Sequence, residues 1–209
     1  MIVKCDSGIV VYDTDIDQIS KFIYDNKEDF FAGKQIETGE GKMAKRTILV
    51  DSARRELEKH GTETFPMTVN HDDLWSFEGK NVPIHWHNDL EINLIREGEA
   101  VFQVYQECYR VRLGEGFLLN RNVPHSCSSE GNEQVSYSTI LVRPDFLYGD
   151  FGSDVERKCF QPFLQNSAVP CIHLTGFDEN GKEILWKLNQ VEEAFDRKRF
   201  CYELKIKGL

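Results

Sequence analysis

The chain has 209 residues, a length that suits one domain of ordinary size with appended helices better than two complete domains. Hydrophobic residues make up 40% and charged residues 29%, which excludes wholesale disorder, and no apolar run approaches the roughly 20 residues needed to cross a bilayer. A net charge of −10 weighs against nucleic acid as a direct partner of this stretch, because phosphate binding rests on Lys and Arg.

The N-terminus, Met1-Ile2-Val3-Lys4, has no basic flank leading into an apolar stretch, so the expected address is the cytoplasm. Six cysteines (Cys5, Cys108, Cys127, Cys159, Cys171, Cys201) are scattered without a CxxC pair and are expected to be reduced, mostly buried thiols. Residues 1–52 read as an N-terminal extension of unknown role. Within it, Thr14 and Asp17 stand at capping-box spacing, and Ile16, Ile19, Phe22 and Ile23 recur at helical intervals, predicting a helix to about Phe31. Gly33, Gly39 and Gly41 interrupt it, the polar stretch from Lys34 to Lys45 reads as a flexible connection, and Ile48-Leu49-Val50 is a short apolar run.

From about Thr64 to Leu174 the pattern changes to short β-rich segments separated by Gly, Pro and Asn. Val101 to Gln106 alternates, and Tyr109-Arg110-Val111-Arg112-Leu113 alternates apolar with basic residues as a half-buried strand does, with a hairpin around Gln106 to Cys108 joining the two. Gly114-Glu115-Gly116 is a turn, Phe117-Leu118-Leu119 a buried strand and Val135 to Val142 another, the strand frequency of a barrel or sandwich. After Gly176, Ile184, Leu188, Val191 and Phe195 fall at i, i+4, i+7 and i+11 of one helix, and a second begins near Cys201. That last amphipathic pattern is still running at Leu209, which suggests a truncated chain.

The chemistry concentrates between Gly79 and Gly98. On a strand, residues two apart share a face, so His85 and His87 project together, and Glu91 shares their parity if the strand continues. Two imidazoles and a carboxylate make an open facial set for a divalent transition metal, and His125 is placed to add a fourth ligand. The alternative is a hydrogen-bonded polar cluster that takes effector hydroxyls or a carboxylate directly. Trp86 points to the opposite face and is expected to pack; His60, His71 and His173 are expected in surface or hydrogen-bonding roles; Arg110 and Arg112 face solvent or pocket according to register.

Gly79, His85, His87, Glu91 and Gly98 resemble the first motif of the cupin superfamily, G(x)5HxH(x)3E(x)6G, at every named position, and Gly114-Glu115-Gly116 with His125 resembles the second, departing from it at Asn120-Arg121-Asn122. Together with Arg55 to Pro66 and Gly114 to Ser126, the stretch from 53 to 209 resembles the N-terminal sensing domain of AraC-family transcription regulators. That resemblance implies a mainly β fold: a cupin-type double-stranded β-helix (jelly-roll) barrel over 53–175 that binds effector or metal, and a helical, dimerising, truncated segment over 176–209. It implies His85, His87, Glu91 and His125 as effector-binding or metal-binding residues, a bound Zn, Ni, Mn or Fe ion, a small polar effector such as a sugar, and a homodimer. DNA would be contacted only through a C-terminal helix-turn-helix half absent from this chain, and no membrane is involved. On this reading no residue is catalytic; a metal-dependent cupin enzyme, an isomerase or dioxygenase, is the alternative, and an empty dimerisation module the third possibility.

Overall fold

The structure, a computed structural model, describes residues 2–5, 8–11, 36–38, 45–131 and 133–209. They fall into two compact units, Met1–Arg46 and Thr47–Leu209. In the first, β1 (Ile2–Cys5) pairs antiparallel with β2 (Gly8–Val11), and β3 (Ile36–Thr38) runs parallel to β2. Ile36–Thr38 is thus strand inside the stretch read as a flexible connection, and the helix expected from Thr14 to Phe31 lies outside the described residues.

The second unit holds two antiparallel sheets. One contains β5 (Val82–His85), β10 (His125–Ser129), β7 (Glu99–Val104) and β8 (Glu107–Arg112), in that order. The other runs β12 (Cys171–Leu174), β9 (Gly116–Leu119), β6 (Leu90–Glu97), β11 (Ser136–Val142), β4 (Met67–Asp73). From β4 to β11 the strands alternate between the two sheets except at the β7–β8 hairpin, as in the jelly-roll barrel that the resemblance implied. Its interior is built from alternating inward side chains: Phe102 and Val104 of β7 and Val111 of β8 meet Ile95 of β6 and Phe117 and Leu119 of β9, each at most 1% exposed, with the Phe102 and Phe117 rings stacked 4.8 Å apart.

Register settles what alternation left open. Val104 pairs with Glu107, so the hairpin turn is Tyr105-Gln106, one residue earlier than expected, with Tyr105 at φ 53°. Arg110 and Arg112 consequently face solvent, where both pair with Glu99. The two motif glycines adopt positive φ: Gly79 (φ 69°) precedes β5, and Gly98 (φ 74°) is the whole connection between β6 and β7.

β6 and β11 are buried on both faces. Their outward residues, Ile92, Leu94, Ile140 and Val142, form a second core with the helices. Those are α1 (Pro144–Tyr148), a π-helical turn (Glu156–Phe160) running into α2 (Gln161–Leu164), α3 (Glu179–Arg197) and α4 (Tyr202–Gly208). Asp178 caps α3 by accepting from Gly181 N at 2.7 Å. The apolar stripe of α3 packs in this second core through Leu185, Leu188, Val191, Ala194 and Phe195; a Leu or Val side chain contributes about 1.5–3 kcal/mol when fully buried. No helix among the described residues is long and apolar enough to cross a membrane. The cysteines depart from expectation: of the five whose side chains are described, all free, Cys127 is buried, Cys171 is intermediate, and Cys108, Cys159 and Cys201 are exposed.

Candidate metal and effector site

His85 is the last residue of β5 and pairs directly with His125, the first residue of β10. Two residues on, His87 sits where the chain leaves that sheet, and after the bend at Asn88-Asp89 Glu91 enters on β6 of the opposite sheet. The strand does not continue from His85 through Glu91, so the condition for a shared parity is not met. Convergence comes from two sheets facing each other across the barrel mouth, with the side chains of one corner aimed at the same point.

His85, His87, Glu91 and His125 are 4%, 5%, 7% and 2% exposed, and one ligand atom from each lies within 4.8 Å of the others. The His85 and His125 rings are 4.3 Å apart, and Glu91 Oε2 lies 2.8 Å from His87 Nε2 and 3.2 Å from His125 Nε2.

Each imidazole is held from behind by a main-chain carbonyl. His85 Nδ1 donates to Pro83 O at 2.9 Å, His87 Nδ1 to Asp89 O at 3.1 Å and His125 Nδ1 to Val123 O at 2.8 Å. A carbonyl only accepts, so in the neutral rings the proton is on Nδ1 and the Nε2 lone pairs face the centre. His125 Nε2 lies close to Glu91 without hydrogen-bond alignment; among the described residues it is the one buried side-chain polar atom with no hydrogen-bond partner. Glu91 is oriented in turn: Asn93 Nδ2 donates to Oε1 at 2.7 Å, and Thr139 Oγ1 donates to Asn93 Oδ1 at 2.9 Å, leaving Oε2 to the imidazoles.

The electrostatics follow from this crowding. Burial, reinforced by the His125 charge, pushes the His85 imidazole down to about 4. Burial alone would raise Glu91, but the close His125 charge and the hydrogen bond from His87 outweigh it and hold the carboxyl well below its usual range. Burial alone would lower His125; the Glu91 charge outweighs it and raises that imidazole. Three inward lone pairs and a carboxylate repel one another unless protons or a cation lie between them, so the donor set fits a divalent transition metal.

Two further residues reach the site that motif spacing left out. A strap formed by residues 47–66 crosses this end of the barrel: Val50 bridges Glu56, Glu56 N donates to Trp86 O at 2.9 Å, and Trp86 Nε1 donates to Ala53 O at 2.9 Å. Trp86 thus packs, as expected, but against the strap. The strap presents Glu56 and His60, whose side chains are 5% and 6% exposed and joined at 3.1 Å; Glu56 Oε2 lies 4.0 Å from His85 Nε2, and the His60 ring makes an edge contact with His87 at 5.9 Å. The only signal was Glu56 and His60 standing four apart inside the Arg55–Pro66 stretch.

His71 and His173 take ordinary roles on the outer surface. His71 joins Asp196 and Ser138, and His173 joins Glu115. His71, Glu192 and Asp196 also cluster at ligand-like distances, but they are partly or fully exposed and already hydrogen-bonded.

Residues 74–170 match the family model of the AraC-like ligand binding domain. A curated relative, the uncharacterized HTH-type transcriptional regulator YdeC of Bacillus subtilis (strain 168), is 24% identical over 161 residues, 77% of this chain and 54% of that one, so the chain spans about half the relative's length. Among solved structures, unsaturated fatty acid-bound wild-type ToxT from Vibrio cholerae is 17% identical with a TM-score of 0.43, over 68% of this chain and 52% of ToxT. A cupin-2 domain containing protein from Shewanella frigidimarina is 19% identical with a TM-score of 0.32, over 37% of this chain and 71% of that one.

Proposed function

We propose that this chain, whose residues 74–170 match the AraC-like ligand binding domain, is the effector-sensing part of an AraC-type transcription regulator. DNA is then contacted by helix-turn-helix motifs carried elsewhere in the whole protein, the regulator works in the cytoplasm, and sensing domains pair as a homodimer. The effector is a small polar molecule, with sugars among the candidates. His85, His87, Glu91 and His125 hold a divalent transition metal (Zn, Ni, Mn or Fe), which when bound supplies a Lewis-acid position to anchor an effector oxygen.

The observation that carries this reading is the buried, unpartnered Nε2 of His125 beside two further imidazoles and a carboxylate, each fixed from behind. An effector alters transcription only by favouring one arrangement of the barrel and its helices over another. β11 supports such a coupling: Thr139 faces inward to Asn93 and Glu91, while its neighbour Ser138 faces outward, where its hydroxyl donates to Glu192 of α3 at 2.8 Å.

Metal content after purification and calorimetric titration with Zn, Ni, Mn and Fe test the site. One ion per chain and a raised melting temperature are expected, both lost in His125→Ala; a wild-type chain that takes up none of the four contradicts the metal reading. The same donor set serves a metal-dependent cupin isomerase or dioxygenase. The gene's reading frame separates the two, since helix-turn-helix motifs following the barrel favour the sensor.

A further inference from the structure

The strap is held in register with the site by main-chain bonds on both sides of Trp86, the residue between two of the imidazoles: Glu56 N donates to Trp86 O, and Trp86 N donates to Arg54 O at 3.1 Å. Asp51 Oδ1 stiffens its turn by accepting from Ala53 N at 2.8 Å and Arg55 N at 3.0 Å. Glu56 is therefore delivered to the barrel mouth by a fixed backbone. Its side chain is as buried as those of the four-residue cluster, and its Oε2 is fixed by His60 Nε2. At 4.0 Å it is beyond hydrogen-bond reach of His85, and it is outside the group whose ligand atoms lie within 4.8 Å of one another. It stands beside the cluster, placed so that an atom bound to one side of the His85–Glu56 line can reach both groups.

We propose that Glu56, oriented by His60, is the outer acceptor of the site: it receives a hydrogen bond from the ligand atom bound beside His85 and so selects an atom that carries a proton, a water or hydroxyl oxygen, over an anionic oxygen or nitrogen. The inference rests on the metal reading above and names its ligand class. A proton-bearing donor satisfies Glu56, whereas an anion in the same place faces a buried carboxylate in a medium that screens poorly. Glu91 already supplies one negative charge to the centre, so a second at Glu56 opposes anion entry without being a ligand itself. His60 has the position of an orienting group, because its Nε2 bond to Glu56 leaves the other carboxylate lone pairs to the site.

The test uses the full chain loaded with Co(II), whose visible spectrum reports what binds in the open position. Azide is titrated into the wild type, Glu56→Gln and His60→Gln, with melting temperature and cobalt stoichiometry recorded for each. Glu56→Gln is expected to keep one cobalt per chain and to bind azide at least about tenfold more tightly than wild type. His60→Gln, which keeps the carboxylate, is expected to shift azide affinity less. Equal azide affinity in wild type and Glu56→Gln overturns the acceptor role while leaving the metal reading intact, and loss of cobalt from Glu56→Gln overturns it by making Glu56 a direct ligand. Failure of the wild type to hold cobalt or any of Zn, Ni, Mn and Fe overturns both. A measurement independent of any variant compares ethylene glycol with formate on the wild-type cobalt form: formate perturbing the spectrum at or below the concentration that ethylene glycol needs overturns the proposal.

Discussion

Asn93 Nδ2 donates to Glu91 Oε1 at 2.7 Å from a side chain with no solvent exposure, two residues further along the same strand. The two share a face of β6, so the amide fixes which carboxylate oxygen is left to the imidazoles.

Asn93→Leu removes that donor and also strands the Thr139 hydroxyl, leaving buried polar groups unpaired. The expected cost is about 1–3 kcal/mol of stability, with metal affinity falling about 10- to 100-fold. Urea titration and calorimetry check both, and metal affinity unchanged from wild type would show that Asn93 does not orient Glu91.

The metal-free protein is expected to be most stable near pH 6.5, with a limb falling on each side. Burial holds His85 at about 4 against an ordinary 6.5, so between those values the unfolded chain binds more protons and acid destabilises, by on the order of 3 kcal/mol over the window. Glu91, held below its usual 4.5 although burial opposes this, adds stability present above that value and lost as the pH falls through its lowered one. His125, raised by Glu91 against its own burial, contributes stability that is complete below 6.5 and lost as the pH climbs through its raised value. Urea midpoints at about pH 5, 6.5 and 8 in a chelator measure the profile. His85→Gln is expected to flatten the acid limb, and an unchanged acid limb in that variant removes its attribution to His85.

Gly98→Ala is expected to lower stability by at least about 1–3 kcal/mol, since a side chain would be forced into the positive-φ region. The added Cβ would also lie 2.3 Å from the Gln134 carbonyl oxygen, in main chain that cannot swing aside. A melting temperature within a degree of wild type would contradict this account of the second motif glycine.

Arg96 ties β6 to α3 through Glu192, through Asn189 Oδ1 at 2.8 Å and beside Ser138 Oγ at 3.2 Å. Because these side chains are partly exposed, Arg96→Met is expected to cost only about 0.5–1 kcal/mol globally, yet to speed amide exchange in α3 relative to the barrel strands. Exchange that rises equally in barrel and helix would show that Arg96 does not act as a local tether.

The barrel strands and the long helix were legible from local pattern, and the four converging residues from the motif resemblance. Period-two alternation in Val101 to Leu113, the glycines on either side of His85 to Glu91, and the i, i+4, i+7 spacing in α3 each express a rule that acts within a few residues. The turn at Tyr105-Gln106 was displaced by one residue because pairing partners, not composition, choose where a hairpin closes.

Local sequence therefore determined which residue types are available: three imidazoles, a carboxylate, and the glycines that let the chain bend around them. Only tertiary structure decided how they meet. His85 and His125 are cross-strand neighbours, whereas Glu91 arrives from the other sheet, a relation that no parity along one strand contains. The same holds for Glu56 and His60, carried to the barrel mouth by hydrogen bonds to Trp86 some 30 positions away, and for the stripe of α3, whose partner is the outer face of β6 and β11. Long-range pairing and burial are collective properties of the folded chain, so which partner a residue meets leaves no periodic trace in the sequence.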